Sequence, residues 1–201
     1  YQCDSCKHNL SILDVIPFFS YLFLKGKCKY CHEKIDIMEP LMEVFTGILF
    51  AVAYYSFGFS YEFLIALGIV SLLIIVTVSD LNYLIIPDEV LVFFILYFVI
   101  VQFFSVGVIG VVEHLLTGMF LFVLMYIIMW LGEKLLNKES LGGGDVKMMF
   151  LFGLVLDPLL GTVAIFLGSL FALPMSLFLL YKNNEKMIPF GPFLLIAFTF
   201  L

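Results

Sequence analysis

The chain has 201 residues, of which 63% are hydrophobic and only 13% charged, with a mean hydropathy of +1.15 and a formal charge of −6. Soluble domains run at about 45–50% apolar and about 25% charged residues, so these values exclude an ordinary soluble fold and a disordered chain. With so few cations they also exclude a nucleic-acid binder. The surface of such a chain has to face lipid. Its first residue is Tyr1 and not Met, so the sequence is expected to be part of a longer translation product.

Residues 1–40 differ from everything after them. They are comparatively rich in charge, hold a single ten-residue apolar run (15–24) too short to span a bilayer, and contain all four Cys of the chain. Cys3, Cys6, Cys28 and Cys31 form two CxxC knuckles. A two-residue spacer lets two thiolates converge about 2.3 Å from one ion, so the pattern points to a tetrahedral, structural zinc site with all four positions filled by sulfur. Two disulfides or four free thiols are the other states open to these residues, the former disfavoured in a cytoplasmic setting. His8 and His32 then stand beside the site without ligating it. A module this small needs the metal because it cannot bury enough core alone.

From Leu41 onward the chain is a series of apolar runs, at 41–57, 61–79, 89–105, 108–131, 145–156, 159–181 and 188–201. About 20 helical residues cross about 30 Å of hydrocarbon. Unbroken runs without alternation select helices over a barrel. The expected fold is therefore all-α: a polytopic transmembrane bundle of seven spans over residues 41–201, preceded by the cytoplasmic cysteine module at 1–40. The fifth run is short for a span. The chain has no Arg, so its ten Lys carry the whole positive-inside signal. If the seven helices alternate in direction, all ten fall on one side, which places the cysteine module and the connections at 80–88, 131–144 and 181–187 in the cytoplasm.

Acids at membrane depth are expensive and become functional candidates by default. Asp80 ends the second run, and Asp145 opens the fifth within the GGGDVK stretch at 142–147. Both fall at cytoplasmic helix ends, where a bundle can bring them together. Two carboxylates a few ångströms apart share a proton near neutral pH and supply a base and an acid at once, the equipment for hydrolysing a peptide bond. Gly142 to Gly144, lacking Cβ atoms, would let a substrate backbone approach. The alternative reading of either Asp is an interfacial residue or a helix cap. Ile86-Pro87-Asp88-Glu89 reads as a helix start with acids at the positive end of the dipole. Lys147 is placed to snorkel or to balance a carboxylate, and Glu43 to pair with a Lys of the cysteine module or to bind a ligand.

Taken in order, the two knuckles, IPFFSYL at 16–22, KGKCKYC at 25–31, the Glu43 segment, Asp80-Leu81 followed by Ile86-Pro87-Asp88, GGGDVK, and PFGPFL at 189–194 resemble the type IV prepilin peptidases, membrane aspartyl proteases of the GxGD class. The resemblance covers nearly the whole chain. It implies that Asp80 and Asp145 are the catalytic pair, supported by Gly142, Gly144, Lys147, Asp88 and Glu43. The substrates it implies are prepilins or pseudopilins with a short basic leader, cut on the cytoplasmic side of the bacterial inner membrane. It also implies methylation of the new N-terminus by S-adenosylmethionine in many bacterial members, for which the sequence offers no nucleotide-fold signature of its own. Two departures stand out: family members usually begin with a further transmembrane helix, and a Pro commonly follows the first Cys where this chain has Asp4. A transporter with buried acids and a zinc docking module is the competing class. It would set its acids near the bilayer midplane. Presenilin-like proteases carry a Tyr-Asp pair and a Pro-Ala-Leu motif, where this chain has Ser79-Asp80 and PFGP.

Overall fold

A computed structural model describes residues 6–9, 11, 19–83, 85–136, 142–181 and 190–199. Cys3 and residues 15–18 of the 15–24 run lie outside the described residues, as do Lys138, Lys182 and Lys186. Regular structure among the described residues is helical: α1 (Phe19–Phe23), α2 (Met38–Phe57), α3 (Tyr61–Tyr83), α4 (Asp88–Leu136), α5 (Gly143–Gly153), α6 (Pro158–Tyr181) and α7 (Gly191–Thr199). The chain divides into two compact units, Tyr1–Ser56 and Phe57–Leu201, so the first long apolar helix belongs with the cysteine module. By length and composition α2, α3 and α4 can each cross a membrane.

In the first unit the second knuckle is a tight turn. The His32 amide donates to the Cys28 carbonyl (3.0 Å), the Cys28 amide donates to the Glu33 carbonyl (2.8 Å), and Lys27 and Lys34 form an antiparallel bridge. His32 follows the knuckle with φ 58°, and Lys7 follows Cys6 with φ 55°. The residue after each second Cys is thus left-handed, the same backbone reversal used twice. α2 begins where the Asp36 carboxylate accepts the Met38 amide (3.1 Å), with Pro40 in the first turn where its missing N–H costs nothing.

In the second unit Ser60 caps α3 by accepting the Phe63 amide (3.2 Å). α4 is two helices joined at Gly107, whose φ of 72° and ψ of −174° lie in a region open essentially to glycine alone. Both limbs reach the C-terminal end of α5: Gln102 on the first donates to the Leu154 carbonyl (3.0 Å), while Gly118 on the second lies against Gly153. The pair of runs expected at 89–105 and 108–131 corresponds to these two limbs.

α5 is eleven residues long, about 16 Å, and so reaches only about half-way across a hydrocarbon layer. Val146, Met148, Met149, Leu151 and Phe152 are all buried, as expected of a helix that is apolar on nearly every side. It packs closely against α4 because two glycines face each other. A Cβ on Gly153 would stand 2.4 Å from the Gly118 Cα, so neither position has room for a side chain. On the other side Phe152 stacks flat on Phe198 of α7, with ring centroids 4.0 Å apart and planes 3° from parallel. Pro158 opens α6 in its first position, and Pro174 sits inside that helix.

Candidate active site

Asp80 is carried one turn before the end of α3, on the same face as Val76, four residues earlier. Asp145 lies in the first turn of α5, where the positive end of the helix dipole favours a carboxylate. Their side chains are 7% and 6% exposed. Phe190 leads into α7, its carbonyl accepting the amides of Phe193 and Leu194 (3.1 and 3.2 Å), so that α7 starts at Gly191 beside both acids.

The meeting of the two carboxylates is fixed by that glycine. A side chain at position 191 would begin 3.0 Å from Asp80 Oδ2 and 3.5 Å from Asp145 Oδ1, with the Val76 methyl Cγ1 3.4 Å away. Two oxygens that close to one point are separated by no more than the sum of those two distances. The Gly191 amide is directed at Asp80, and the Gly142 amide at Asp145. Asp80 Oδ2 and Asp145 Oδ1 are each buried without a hydrogen-bond partner among the described residues. Buried polar atoms are nearly always satisfied, so two such atoms facing one point mark a place where something polar is handled.

The pair opens into a cavity of about 600 Å³, lined by Ile85, Ile86, Pro87, Asp88 and Glu89 from the α3–α4 connection and the start of α4, and by Gly142, Gly143, Gly144 and Lys147 around the start of α5. Ser79 holds the connection by donating to the Ile85 carbonyl (2.7 Å). Lys147 donates to both carboxylate oxygens of Asp88 (2.7 and 2.8 Å) and so is engaged away from the two buried acids. The three glycines differ: a Cβ on Gly144 would press on Ile86 (3.0 Å), one on Gly142 would lie 3.3 Å from Asp145 Oδ2, and one on Gly143 would meet nothing within 4 Å. Room for an incoming chain is therefore at Gly143, while Gly144 serves the packing of the loop. Glu43 belongs to the other unit, exposed in the second turn of α2.

The structure thus brings Asp80, Asp145, Asp88, Lys147, Gly142 and Gly144 to one cavity. The sequence assigned no role to Gly191. The available signal was the breaker cluster around it, which marks the start of a helix late in the chain.

In the first unit the sulfur ligands Cys6, Cys28 and Cys31 lie within 4.8 Å of one another. Sulfurs on a tetrahedral ion with bonds of about 2.3 Å sit about 3.8 Å apart, so the three can share one metal with a small adjustment. His8 packs at a tilt on Tyr30 (centroids 3.8 Å, planes 36° apart) and takes no place in the sulfur group.

Comparison with known proteins divides the chain in a similar way. Residues 1–57 match the bacterial peptidase A24 N-terminal domain and residues 67–177 the type IV leader peptidase family. Curated relatives include prepilin leader peptidase/N-methyltransferases from Bacillus subtilis (34% identity over 84% of this chain and 66% of the relative) and Pseudomonas putida (28% over 98% and 69%). A third, from Aeromonas salmonicida, is 29% identical over 97% of this chain and 68% of the relative. The chain spans about two thirds of the length of these relatives. No solved structure matches it.

Proposed function

The chain belongs to the type IV leader peptidase family, and on that premise we propose that it is a membrane aspartic endopeptidase that removes the short basic leader from type IV prepilins or pseudopilins. The observation that carries this reading is the convergence of Asp80 and Asp145 at Gly191, each nine-tenths buried, each with an unpartnered oxygen, beside a cavity large enough for a peptide segment.

In this mechanism the two carboxyl groups hold one proton between them. The ionised member takes a proton from a water molecule as the water attacks the scissile carbonyl carbon, and the protonated member donates to the carbonyl oxygen. Collapse of the tetrahedral intermediate returns a proton to the leaving nitrogen. The open face at Gly143 receives the substrate backbone. The Lys147–Asp88 pair ties the first turn of α4 to the second turn of α5 beside the dyad.

The biased distribution of lysines favours cleavage on the cytoplasmic side of the bacterial inner membrane, with the cysteine module on that side too. Cys6, Cys28 and Cys31, with Cys3 as the fourth ligand, would hold a zinc ion that stabilises the module and takes no part in hydrolysis. Methylation of the new N-terminal amine rests on the names of the relatives alone, with S-adenosylmethionine as the donor of the methyl group.

The test is cleavage of a prepilin-like substrate by the full-length protein and by Asp80→Asn and Asp145→Asn, with mass spectrometry of the new N-terminus. Loss of cleavage in both folded variants supports the pair, and an added methyl mass supports the second activity. Normal cleavage by either variant overturns the assignment and favours the transporter reading.

A further inference from the structure

We propose that Gly191 is a positioning residue that keeps the space between the two carboxylates open to the reacting atoms, an assignment that rests on the peptidase reading. Val76, Asp80 and Asp145 all approach the point where its Cβ would stand, at 3.4, 3.0 and 3.5 Å. A methyl there would lie against both unpartnered carboxylate oxygens, on the space beside them. Attack on a peptide carbonyl needs the water and the carbonyl oxygen on the same ground, about 3 Å from the base and from the acid. A methyl group projecting from position 191 would occupy it.

The backbone cannot easily turn such a methyl aside. Pro192 follows directly, with its φ fixed by its ring, and the Phe190 carbonyl is engaged by two amides of α7. Gly191, Pro192, Leu194 and Leu195 are all buried, so the start of α7 is packed on the face that carries Gly191. The nearest apolar neighbour is Val76, whose truncation would give the methyl somewhere to go.

The experiment compares Gly191→Ala, Gly191→Ala with Val76→Ala, and Gly168→Ala in the full-length protein. Gly168 lies on α6, where a Cβ would press on Leu194 (2.8 Å to Cδ2, 3.1 Å to Cα), so Gly168→Ala pushes α7 without adding an atom at the dyad. Gly191→Ala is expected to lower kcat about 100-fold, the scale of an ångström-sized misplacement, with KM within about twofold of the unsubstituted value. Adding Val76→Ala should restore about tenfold of the lost kcat, and this pair also serves if Gly191→Ala alone does not fold. Gly168→Ala should lower the melting temperature while leaving kcat within about threefold. An unchanged kcat in folded Gly191→Ala, no recovery in the pair, or a 100-fold loss in Gly168→Ala would each overturn the proposal. Absence of cleavage by the unsubstituted protein would instead bring down the peptidase reading.

Discussion

Lys147 and Asp88, fifty-nine positions apart, make a two-pronged ion pair, with Nζ donating to both oxygens at 2.7 and 2.8 Å. The side chains are 51% and 65% exposed, so water screens the pair and its contribution to stability is small. Its effect is geometric: it fixes the entry to α4 against the second turn of α5, two residues from Asp145. Lys147→Met is therefore expected to change unfolding stability by less than about 1 kcal/mol yet to lower kcat. The exchange Lys147→Asp with Asp88→Lys should recover part of the loss. Detergent-phase thermal melts alongside cleavage kinetics check both halves, and a large melting shift would show the pair to be structural.

The carboxylates of Asp80 and Asp145 are held close, buried and partly unsatisfied, an arrangement that favours chemistry over stability. Asp80→Asn and Asp145→Asn should each abolish cleavage while leaving the melting temperature unchanged or raised. Destabilisation of both by more than about 2 kcal/mol would mean that the acids hold the bundle together.

In the proposed mechanism one proton shared by the pair defines the active state, so cleavage should fall at both ends of the pH range, giving a bell-shaped kcat profile. The acidic limb reports loss of the ionised base, and the basic limb loss of the protonated acid. A rate that climbed without a maximum up to about pH 10 would contradict proton sharing.

Gly107 adopts φ 72° and ψ −174° with no atom close to its Cβ position, so backbone strain alone sets the effect of a side chain there. Gly107→Ala should destabilise by about 1–3 kcal/mol. Because the turn is far along α4 from the dyad, the folded fraction should keep its kcat. A variant as stable as the parent would show that the two limbs can join by another route.

Metal content tests the sulfur cluster. The purified protein should carry about one equivalent of zinc, and Cys28→Ser with Cys31→Ser should lose it, since two remaining thiolates cannot hold the ion. Full metal in that variant would remove zinc from these cysteines.

Helices were legible in the sequence because apolar runs are bounded by Ser60, Pro87, Gly107 and Pro158, each doing at its boundary what its backbone chemistry dictates. Asp80 and Asp145 stood out as acids at the ends of such runs. What could not be read was pairing across the fold. Nothing local says that Lys147 meets Asp88, or that Ile86 fills the space above Gly144. Gly191 escaped for a different reason: it has no side chain to announce a role, and its importance lies in the atoms that crowd the place where one would be.

The flat stack of Phe152 on Phe198 has a mechanical consequence. It ties the far end of the helix that bears Asp145 to the far end of the helix that begins at Gly191, so a shift of one is passed to the other. Asp80 enters on α3, outside that aromatic joint. Since α7 also packs against α3, the helix that begins at Gly191 touches both acid-bearing helices, and a displacement of it is felt at both carboxylates.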